Sequence, residues 1–411
     1  MAAPPSQSLV LTFEEARQVI EDHASQLTSR THETTFLLQA AGRVLAEPIT
    51  ADRDIPPFPR STRDGYAVRA SDLAKLPAKL KVIGEIKAGP GQLPSALNQD
   101  EAFSIMTGAP VPPSADAVVM VEYTSQKGDL VDIAKGAAPG ENIVAPGAEA
   151  KRGSLLLDRG TRLNEAAAAL AASVGRSRLE VFVRPRVAIL TTGDEIVAVD
   201  TKPGPTQIRN SNSYSLAVQI QQAGGDPVLL PIAPDEPRRL RQLMEEGQQS
   251  DLLIMTGGVS MGRYDLVEQV LAEIQAEFFF TGAKIQPGRP VVFGRVPAHH
   301  KYFFGLPGNP VSTMVTFELF ARPILEALAG IHPRPLTFLH ARLKSEIRVK
   351  PGLRRFLPAI LSGRYEDAEV ELVPWQGSGD VAAQARSNCY VVIPPDREQI
   401  EAGEWVAIMG R

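Results

Sequence analysis

The sequence has little of the features that mark secreted and nucleic-acid-binding proteins. Its 411 residues include a single cysteine, Cys389, so a framework of disulfides within the chain is excluded. The 43 Lys and Arg residues are outnumbered by 47 Asp and Glu residues, which gives a formal net charge of −4. A protein that coats nucleic acid is normally basic. We therefore expect a protein of the reducing cytoplasm that does not bind nucleic acid.

Long apolar runs are also missing. The longest run rich in Ala and Leu, 166–174, is far shorter than the roughly 20 residues that cross a bilayer. The first residues, MAAPPSQSLVLTFEEA, contain no basic segment followed by an apolar core, so they do not resemble a signal peptide. The sequence predicts neither contact with a membrane nor an export signal.

Several catalytic motifs are absent as well. The six His residues show no spacing typical of metal ligands, and no arrangement of Ser, His and Asp can be assembled from the loop regions. No segment matches the Walker A pattern or G-x-G-x-x-G. These absences disfavour a transition-metal centre, acyl-transfer hydrolysis, nucleotide hydrolysis and a nicotinamide cofactor.

Proline, in contrast, is abundant. The chain has 34 Pro among 411 residues, about 8% against an average near 5%, but no low-complexity stretch. Hydrophobic residues make up 44%, and the length suggests two to four domains that each bury a core. We therefore expect most prolines in ordered turns of a multidomain protein rather than in a disordered tail.

The order of apolar patterns predicts a discontinuous domain at the start of the chain. The pattern of Thr12–Leu27, which opens with a capping box, predicts a helix, and an Ala-rich helix is expected from an N-cap at Asn164 to near Gly175. Between them lie short β-like runs separated by Pro and Gly. We therefore predict a helical linker domain formed by residues 1–48 and 148–180, with a β-rich domain, 49–147, inserted in it.

The rest of the chain predicts two further domains. Residues 181–330 alternate apolar strands with amphipathic helices, which is typical of a parallel sheet covered on both faces. The predicted strands are Val187–Thr191, Pro227–Ile232, Leu252–Met255 and Tyr302–Phe304, and the predicted helices are Tyr214–Ala223, Pro237–Glu246, Asp265–Ile274 and Pro310–Leu328. In 331–411, five short β runs around Leu336, Phe356, Val370, Tyr390 and Val406 predict a small barrel or sandwich. The predicted fold class is α/β and multidomain.

Three of the four predicted parallel strands run into polar loops rich in turn residues. The loops are 191–195 (TTGDE), 256–262 (TGGVSMG) and 305–312 (GLPGNPVS). Each loop alone would be typical of an ordinary tight turn. Because ligands bind beyond the carboxyl ends of parallel strands, three such loops on one edge of the sheet predict a binding site. Backbone amides after Thr256 and a helix start at Pro310 would provide anion cradles.

Charged and proline-rich segments lie in and near these loops. Glu195 and Asp265, at two strand ends, could share a hard cation such as Mg²⁺ or could be solvated helix caps. The two cations of 284–290 (KIQPGRP) could clamp an oxyanion or lie in an ordinary surface turn. Two further stiff segments, 53–67 and 106–113, are by themselves typical of structural turns.

Taken in order, six segments resemble the MoeA-like molybdopterin molybdenumtransferase family, which is similar to the gephyrin E domain. They are STRDGYA (61–67), MTGAPVP (106–112), TGDE (192–195), GGVS (257–260) with Asp265, PGRP (287–290) and LPGNPVS (306–312). Each segment is modest alone, but the ordered set is specific and covers nearly the whole chain. The resemblance implies a linker domain made from two segments, an inserted β domain, an α/β molybdopterin-binding domain and a C-terminal β domain.

The resemblance also implies a reaction and an assembly. Molybdate would be inserted into adenylylated molybdopterin with the help of Mg²⁺, giving molybdenum cofactor and AMP. The protein would be a homodimer whose cleft lies between the α/β domain of one subunit and the inserted domain of the other. It would also contact the molybdopterin adenylyltransferase.

Residue roles follow from the resemblance, position by position. Catalytic roles fall to Asp64, Glu195, Asp235 and Asp265, of which Glu195 and Asp265 would bind the metal and Asp64 would act across the dimer interface. Substrate binding falls to Thr107, Thr192, Gly193, Gly257, Gly258, Ser260, Pro307, Gly308 and Asn309. Molybdate binding falls to Arg289, Pro290, Ser312 and Ser378, with Arg354 or Arg355.

One segment departs from the family pattern. Lysines usual before Pro287 are replaced by Gln286 and Gly282, while Lys284 stands where an apolar residue is common. Loss of a lysine should weaken the attraction for a dianion unless Lys284 or Arg289 compensates.

Two other functions stay open from the sequence. The α/β domain alone resembles the stand-alone molybdopterin adenylyltransferases, although these lack the β domain around Asp64. A non-catalytic scaffold similar to gephyrin is disfavoured by the intact set of site carboxylates. The Asp64 segment favours the transferase over the adenylyltransferase.

Overall fold

The computed structural model describes residues 9–29, 31–89, 95–258, 266–364 and 366–411. Their contacts divide the chain into two compact units. The larger unit comprises 1–34, 42–46 and 180–411, and the smaller unit comprises 35–41 and 47–179. The finer division into four domains stays a prediction. Within the described ranges, no helix is long and apolar enough to cross a membrane.

The described part of the chain starts with a short strand and a capped helix. The elements are β1 (Val10–Leu11), α1 (Phe13–Ser25) and β2 (His32–Phe36). The predicted capping box is confirmed: the Glu15 N–H donates to the Thr12 hydroxyl (3.2 Å), and the Thr12 N–H donates to the Glu15 carboxylate (2.8 Å). One face of α1, with Phe13 and Ile20, is buried in the core of the larger unit.

The smaller unit is built around a six-stranded sheet. Its elements are β3 (Ile49–Thr50), β4 (Arg60–Ser61), β5 (Gly65–Val68), β6 (Ala78–Ile86), β7 (Glu101–Ile105), β8 (Ala117–Met120), β9 (Thr124–Lys127), β10 (Leu130–Ile133), β11 (Ile143–Val144), β12 (Leu155–Leu157) and α2 (Glu165–Ser173). The sheet order is β8-β5-β7-β6-β10-β9, and β4 and β3 pair with β11 and β12. Strand β5 is buried along its whole length because cores lie on both faces of the sheet.

The predicted β-rich character of this region is confirmed. Strands β7 and β9 are among those that the apolar pattern does not predict. The sequence of β9, TSQK, has no apolar residue, so it carries no hydrophobic alternation and forms by pairing with β10.

The centre of the larger unit is a sheet with helices on both faces. In chain order the elements are β13 (Arg178–Phe182), β14 (Arg186–Thr191), β15 (Ile196–Val197), β16 (Ile208–Arg209), α3 (Asn212–Ala223), β17 (Asp226–Leu229), α4 (Pro237–Gly247), β18 (Leu252–Thr256), α5 (Leu266–Glu273), β19 (Glu277–Phe280), β20 (Gly282–Ala283), β21 (Ile285–Gln286), β22 (Val292–Val296), β23 (Lys301–Leu306), α6 (Pro310–Thr316) and α7 (Arg322–Leu328). The sheet order is β17-β14-β18-β23-β22-β19. Helices α1, α3, α6 and α7 cover one core, and α4 and α5 cover the other.

The four predicted parallel strands, β14, β17, β18 and β23, are confirmed, but the sheet is mixed. Strands β22 and β19 extend it in antiparallel orientation. Their short apolar runs, VFGRV and EFFF, have no period that would mark them as strands. The predicted helix 310–328 is continuous but contains a π-helical turn at Phe317–Ala321, between α6 and α7.

The C-terminal part forms a closed five-stranded barrel. Its elements are β24 (Leu339–Leu343), β25 (Ile347–Arg348), β26 (Arg354–Arg364), β27 (Asp367–Leu372), α8 (Val381–Arg386), β28 (Cys389–Ile393), β29 (Gln399–Ile400) and β30 (Trp405–Gly410). The order β26-β27-β24-β30-β28 closes by pairing β28 with β26. Four of the five predicted β runs are strands, whereas Leu336 precedes β24. Cys389 lies in the barrel core, where burial raises the pKa of its thiol.

Candidate functional site

Three neighbouring parallel strands of the central sheet end at one level. Thr191 of β14 is in register with Thr256 of β18, and Thr256 is in register with Leu306 of β23. The chain leaves β14 toward β17 on one side and returns to β18 on the other, so the topology switches between β14 and β18. Ligands of open α/β sheets bind at such a switch point. The loops that follow these strands therefore meet at the predicted edge.

The turn after β18 fits only glycine. Gly257 and Gly258 both have positive φ, +86° and +61°. A Cβ on Gly257 would lie 2.5 Å from the backbone oxygen of Thr192, and a Cβ on Gly258 would lie 2.7 Å from the Thr192 hydroxyl. A Cβ on Gly308 would contact Gly257 at 3.5 Å. The predicted substrate-binding residues of three loops are thus brought into direct contact.

A buried network of neutral side chains joins these loops. The Asn212 amide nitrogen donates to the Thr256 hydroxyl (2.9 Å) and to the carbonyl oxygen of Gly308 (2.8 Å). The Thr256 and Thr313 hydroxyls both donate to the carbonyl oxygen of Pro307, at 3.1 and 2.6 Å. Asn212, at the start of α3, was not predicted as a site residue. Its sequence signal, a polar IRNSN segment before an amphipathic helix, is that of an ordinary helix start.

A second set of hydrogen bonds supports the end of β14. The Thr191 and Ser213 hydroxyls share a hydrogen bond of 2.8 Å, and the Asn210 amide nitrogen donates to Ser213 at 2.9 Å. All three side chains are buried. The start of α3 is therefore tied to the first strand of the site as well as to the second and third.

Three carboxylates lie on the outer side of the first loop. Asp194, Glu195 and Asp235 are exposed, and the Asp235 N–H donates to the Asp194 carboxylate (3.1 Å). Burial, and then the negative charges of Asp194 and Glu195, raise the pKa of Asp235. The like charges indicate a place that favours a cation. In the part of the chain that the structure describes, however, no three His, Cys, Asp or Glu side chains are grouped closely enough to hold a metal ion.

The predicted oxyanion segment contacts the barrel through Arg355. Strand β21 pairs with β26 so that Gln286 is in register with Arg355, and Arg355 Nε donates to Gln286 Oε1 at 2.8 Å. Arg355 is buried, which lowers its pKa. Arg354 points elsewhere: it pairs with Glu14 and lies over the Phe13 ring, 5.2 Å from its centroid. Arg355 is therefore the arginine beside the predicted oxyanion segment.

Of the two predicted molybdate-binding serines, Ser378 contacts the loop after β23 and Ser312 lies beside the oxyanion segment. Ser378 accepts a hydrogen bond from the Asn309 amide at 2.9 Å, and its carbonyl oxygen accepts from the Val311 N–H at 3.0 Å. A Cβ on Gly288 would lie 3.5 Å from the backbone oxygen of Ser312. Pro290 follows the exposed Arg289 in the same turn. The loop after β23 therefore connects the strand edge to the oxyanion segment.

The smaller unit carries a separate polar feature. The Asp64 carboxylate accepts hydrogen bonds from the Thr107 N–H (2.6 Å) and the Thr107 hydroxyl (2.8 Å). These bonds hold the pKa of Asp64 below its usual value, and both residues are exposed. Two segments singled out in the sequence, 61–67 and 106–112, thus meet around an ionised carboxylate. Ser260 and Asp265, two other predicted site residues, lie outside the described residues.

Family models and curated relatives match most of the chain. Three family models match: MoeA N-terminal region (domain I and II) over residues 11–175, probable molybdopterin binding domain over 188–327, and MoeA C-terminal region (domain IV) over 340–409. Curated relatives named molybdopterin molybdenumtransferase include one from Nostoc sp., 34% identical over 92% of this chain and 88% of that protein. Another, from Bacillus subtilis, is 33% identical over 89% of this chain and 87% of that protein.

Solved structures show the same architecture. A molybdopterin biosynthesis MoeA protein from Pyrococcus horikoshii is 33% identical, with a TM-score of 0.72 over 98% of this chain and 99% of that one. A second structure of a protein with that description, from strain OT3, is 29% identical, with a TM-score of 0.79 over 98% and 100%. The likeness therefore extends over the whole chain.

Proposed function

Because the chain belongs to the MoeA family of molybdopterin molybdenumtransferases, enzymes of molybdenum cofactor biosynthesis, we propose that it inserts molybdate into adenylylated molybdopterin and releases AMP. The observation that carries this proposal is the common level at which β14, β18 and β23 end, which brings the loops after all three strands into contact. A substrate with a heterocycle, a pyrophosphate and a dithiolene-bearing ring needs several adjoining subsites. The joined loops supply them from one edge.

The molybdate subsite of the proposal centres on Arg355. Its guanidinium is buried and oriented by Gln286, which favours directional donation to an oxyanion. Ser312, Ser378 and the exposed Arg289 with Pro290 would complete the subsite. Arg354 is left out because it already pairs with Glu14.

Magnesium would act beside the first loop. Gly193 has φ +136°, and a Cβ there would lie 2.7 Å from the Glu195 carboxylate, so this turn keeps Glu195 close to the strand end. Carboxylate oxygens are the ligands that Mg²⁺ prefers. Glu195 and Asp265 would hold the ion, which when bound supplies positive charge to the pyrophosphate. Asp235 would add a further carboxylate beside them. We expect Asp265→Ala to abolish turnover without loss of the fold, and unchanged turnover would contradict that role.

The assembly and setting implied by the resemblance remain part of the proposal. The protein would be a cytoplasmic homodimer in which Asp64 of one subunit, with Thr107, serves the active site of the other. Substrate would be delivered by contact with the molybdopterin adenylyltransferase. The exposed, ionised state of Asp64 supports a role toward a ligand rather than within the fold.

The activity test measures AMP release from adenylylated molybdopterin by the purified protein. We expect release only when an oxyanion and Mg²⁺ are both present. Molybdate is tested first, and tungstate, which has the same shape and charge, is tested in its place. Equal release without any oxyanion would contradict the proposed reaction. ATP-dependent adenylylation of molybdopterin would instead identify an adenylyltransferase.

A further inference from the structure

Two buried polar atoms at the switch point lack a partner. The Thr192 hydroxyl and the Asn212 amide oxygen make no hydrogen bond to any described residue. Thr192 is 4% exposed and Asn212 is 8% exposed, so little of either side chain reaches solvent. Unpaired buried polar groups are rare in folded proteins, because each loses its hydration without replacement. Two of them bordering one turn need a physical explanation.

The chemistry of the Asn212 neighbours determines which atom is unpaired. The carbonyl oxygen of Pro307 can only accept, so the Thr256 hydroxyl gives its proton to it and accepts from Asn212. The carbonyl oxygen of Gly308 also can only accept, which places the Asn212 nitrogen against it. Both amide protons are thereby used. The free atom is the amide oxygen, a hydrogen-bond acceptor.

The two free groups border the same glycine turn. A Cβ on Gly258 would contact the Thr192 hydroxyl at 2.7 Å. The Asn212 amide donates to Thr256, the residue before this turn, and to the carbonyl oxygen of Gly308. Gly308 in turn lies beside Gly257. Ligands of open α/β sheets bind at the switch point, so a ligand that reaches this turn would meet an acceptor and a hydroxyl held by the rigid network.

An acceptor at this position selects the chemistry of its ligand. A pyrophosphate esterified at both ends, like that of the substrate, carries no proton at neutral pH, so the Asn212 oxygen would repel it. A ring N–H or an amino group would satisfy it. Resting on the proposed function, we propose that Asn212 and Thr192 bind the hydrogen-bond-donating edge of the substrate's heterocycle. The two rings of that substrate, pterin and adenine, both carry such an edge.

The first experiment replaces Thr192 by Val and measures unfolding. Because the hydroxyl has no partner in the protein, we expect Thr192→Val to melt no lower than the wild type. The matched control is Thr313→Val, which removes a paired hydroxyl of the same network and should lower the melting temperature by about 2–4 °C. A fall for Thr192→Val equal to that of Thr313→Val would show that its hydroxyl has a structural partner, and would overturn the proposal.

The second experiment measures binding by calorimetry with three probes: a pterin monophosphate, AMP and inorganic pyrophosphate. We expect Thr192→Val to weaken binding of one ring-bearing probe by about fivefold to tenfold, the worth of one neutral hydrogen bond, and to leave pyrophosphate unchanged. The weakened probe identifies the ring. Equal weakening of all three probes, no change for either ring, or no binding of either ring by the wild type would each overturn the proposal.

The Asn212 oxygen is tested from the ligand side, because any change at Asn212 would also break its bonds to Thr256 and Gly308. Dimethylation of the amino group of the selected ring removes its donors and should weaken binding to the wild type by about tenfold. Equal affinity for the methylated and parent probes would count against an acceptor role. These measurements use neither molybdate nor turnover, so their failure is distinguishable from failure of the proposed reaction.

Discussion

The strand ends of the larger unit and the Asp64 loop of the smaller unit hold their polar groups in opposite ways. At the strand ends, the side chains of Asn212, Thr256 and Thr313 are neutral and buried. Asn212 donates a hydrogen bond to Thr256, and Thr313 donates one to the carbonyl oxygen of Pro307. In the smaller unit, the Asp64 carboxylate is charged and exposed, and its hydrogen bonds come from Thr107. The first arrangement resists movement, whereas the second presents charge to solvent.

This difference indicates which mutations should change stability and which should change activity. Buried neutral groups lose stability when a partner is removed, because the remaining partner stays desolvated. An exposed carboxylate can lose its charge at little cost to the fold. We therefore expect changes to the hydrogen-bonded groups at the strand ends to affect stability first, and changes at Asp64 to affect mainly activity.

The largest expected effect is that of Asp64→Asn on turnover. The amide keeps an oxygen that can accept from Thr107 but loses the negative charge, so we expect molybdate-dependent AMP release to fall by about 100-fold or more. The melting temperature should fall only slightly, because the hydrogen bonds from Thr107 favour the charged carboxylate but the residue is exposed. Asp129→Asn, at an exposed turn of the same unit, is the control and should leave both quantities unchanged. A folding defect in Asp64→Asn would remove the contrast between the two regions.

Gly257→Ala should show the largest effect on stability. Its Cβ would collide with the Thr192 carbonyl oxygen at a φ of +86°, so we expect the free energy of unfolding to fall by more than about 2 kcal/mol in urea titration. The control is Gly128→Ala, which has φ +63° but open space around it, and should cost about 1 kcal/mol. Equal losses would mean that the strand-end turn is no more constrained than an ordinary hairpin.

The two adjacent arginines of β26 should differ in their effect on molybdate. Arg355→Met removes the donor beside Gln286, and we expect the dissociation constant for molybdate to rise about tenfold. Arg354→Met should leave the affinity within about twofold, because Arg354 pairs with Glu14. Titration calorimetry with molybdate distinguishes them. A larger loss from Arg354→Met would reverse the assignment.

The smallest effect is expected at Asp235. Its pKa is raised by burial and by Asp194 and Glu195, so the folded state binds the Asp235 proton more tightly than the unfolded chain does. The resulting stabilisation is complete below the unfolded pKa and is lost as pH rises through the raised folded pKa. At pH 7, Asp235→Asn should therefore stabilise the protein by less than about 0.5 kcal/mol, because the residue is exposed.

Melting curves across pH test this sign. The advantage of Asp235→Asn should shrink as pH falls toward about 4 and should vanish below it, where the wild-type carboxyl is protonated. A variant that is less stable than the wild type at pH 7 would show that the three carboxylates are not mutually repulsive.

Much of the fold follows from local patterns in the sequence. The capping box at Thr12, the apolar runs of β14, β18 and β23, and the Pro at the start of α6 each act over a few residues, so they could be predicted without knowledge of the rest of the chain. Strands β9, β19 and β22 could not, because their positions depend on partners distant in sequence or on pairing that overrides weak patterning.

The sequence by itself determined the family resemblance, the order of the main helices and the four parallel strands of the central sheet, and the three polar loops that follow those strands. It left open which of Arg354 and Arg355 faces the oxyanion segment, and Asn212 carried no signal of a role. Tertiary structure decided both, because adjacent residues of a strand point to opposite sides and because the partners of Asn212 come from loops 44 and 96 residues away. Local sequence patterns determine which segments form helices, strands and turns. Contacts between segments distant in sequence determine which side-chain atoms remain free to bind a ligand.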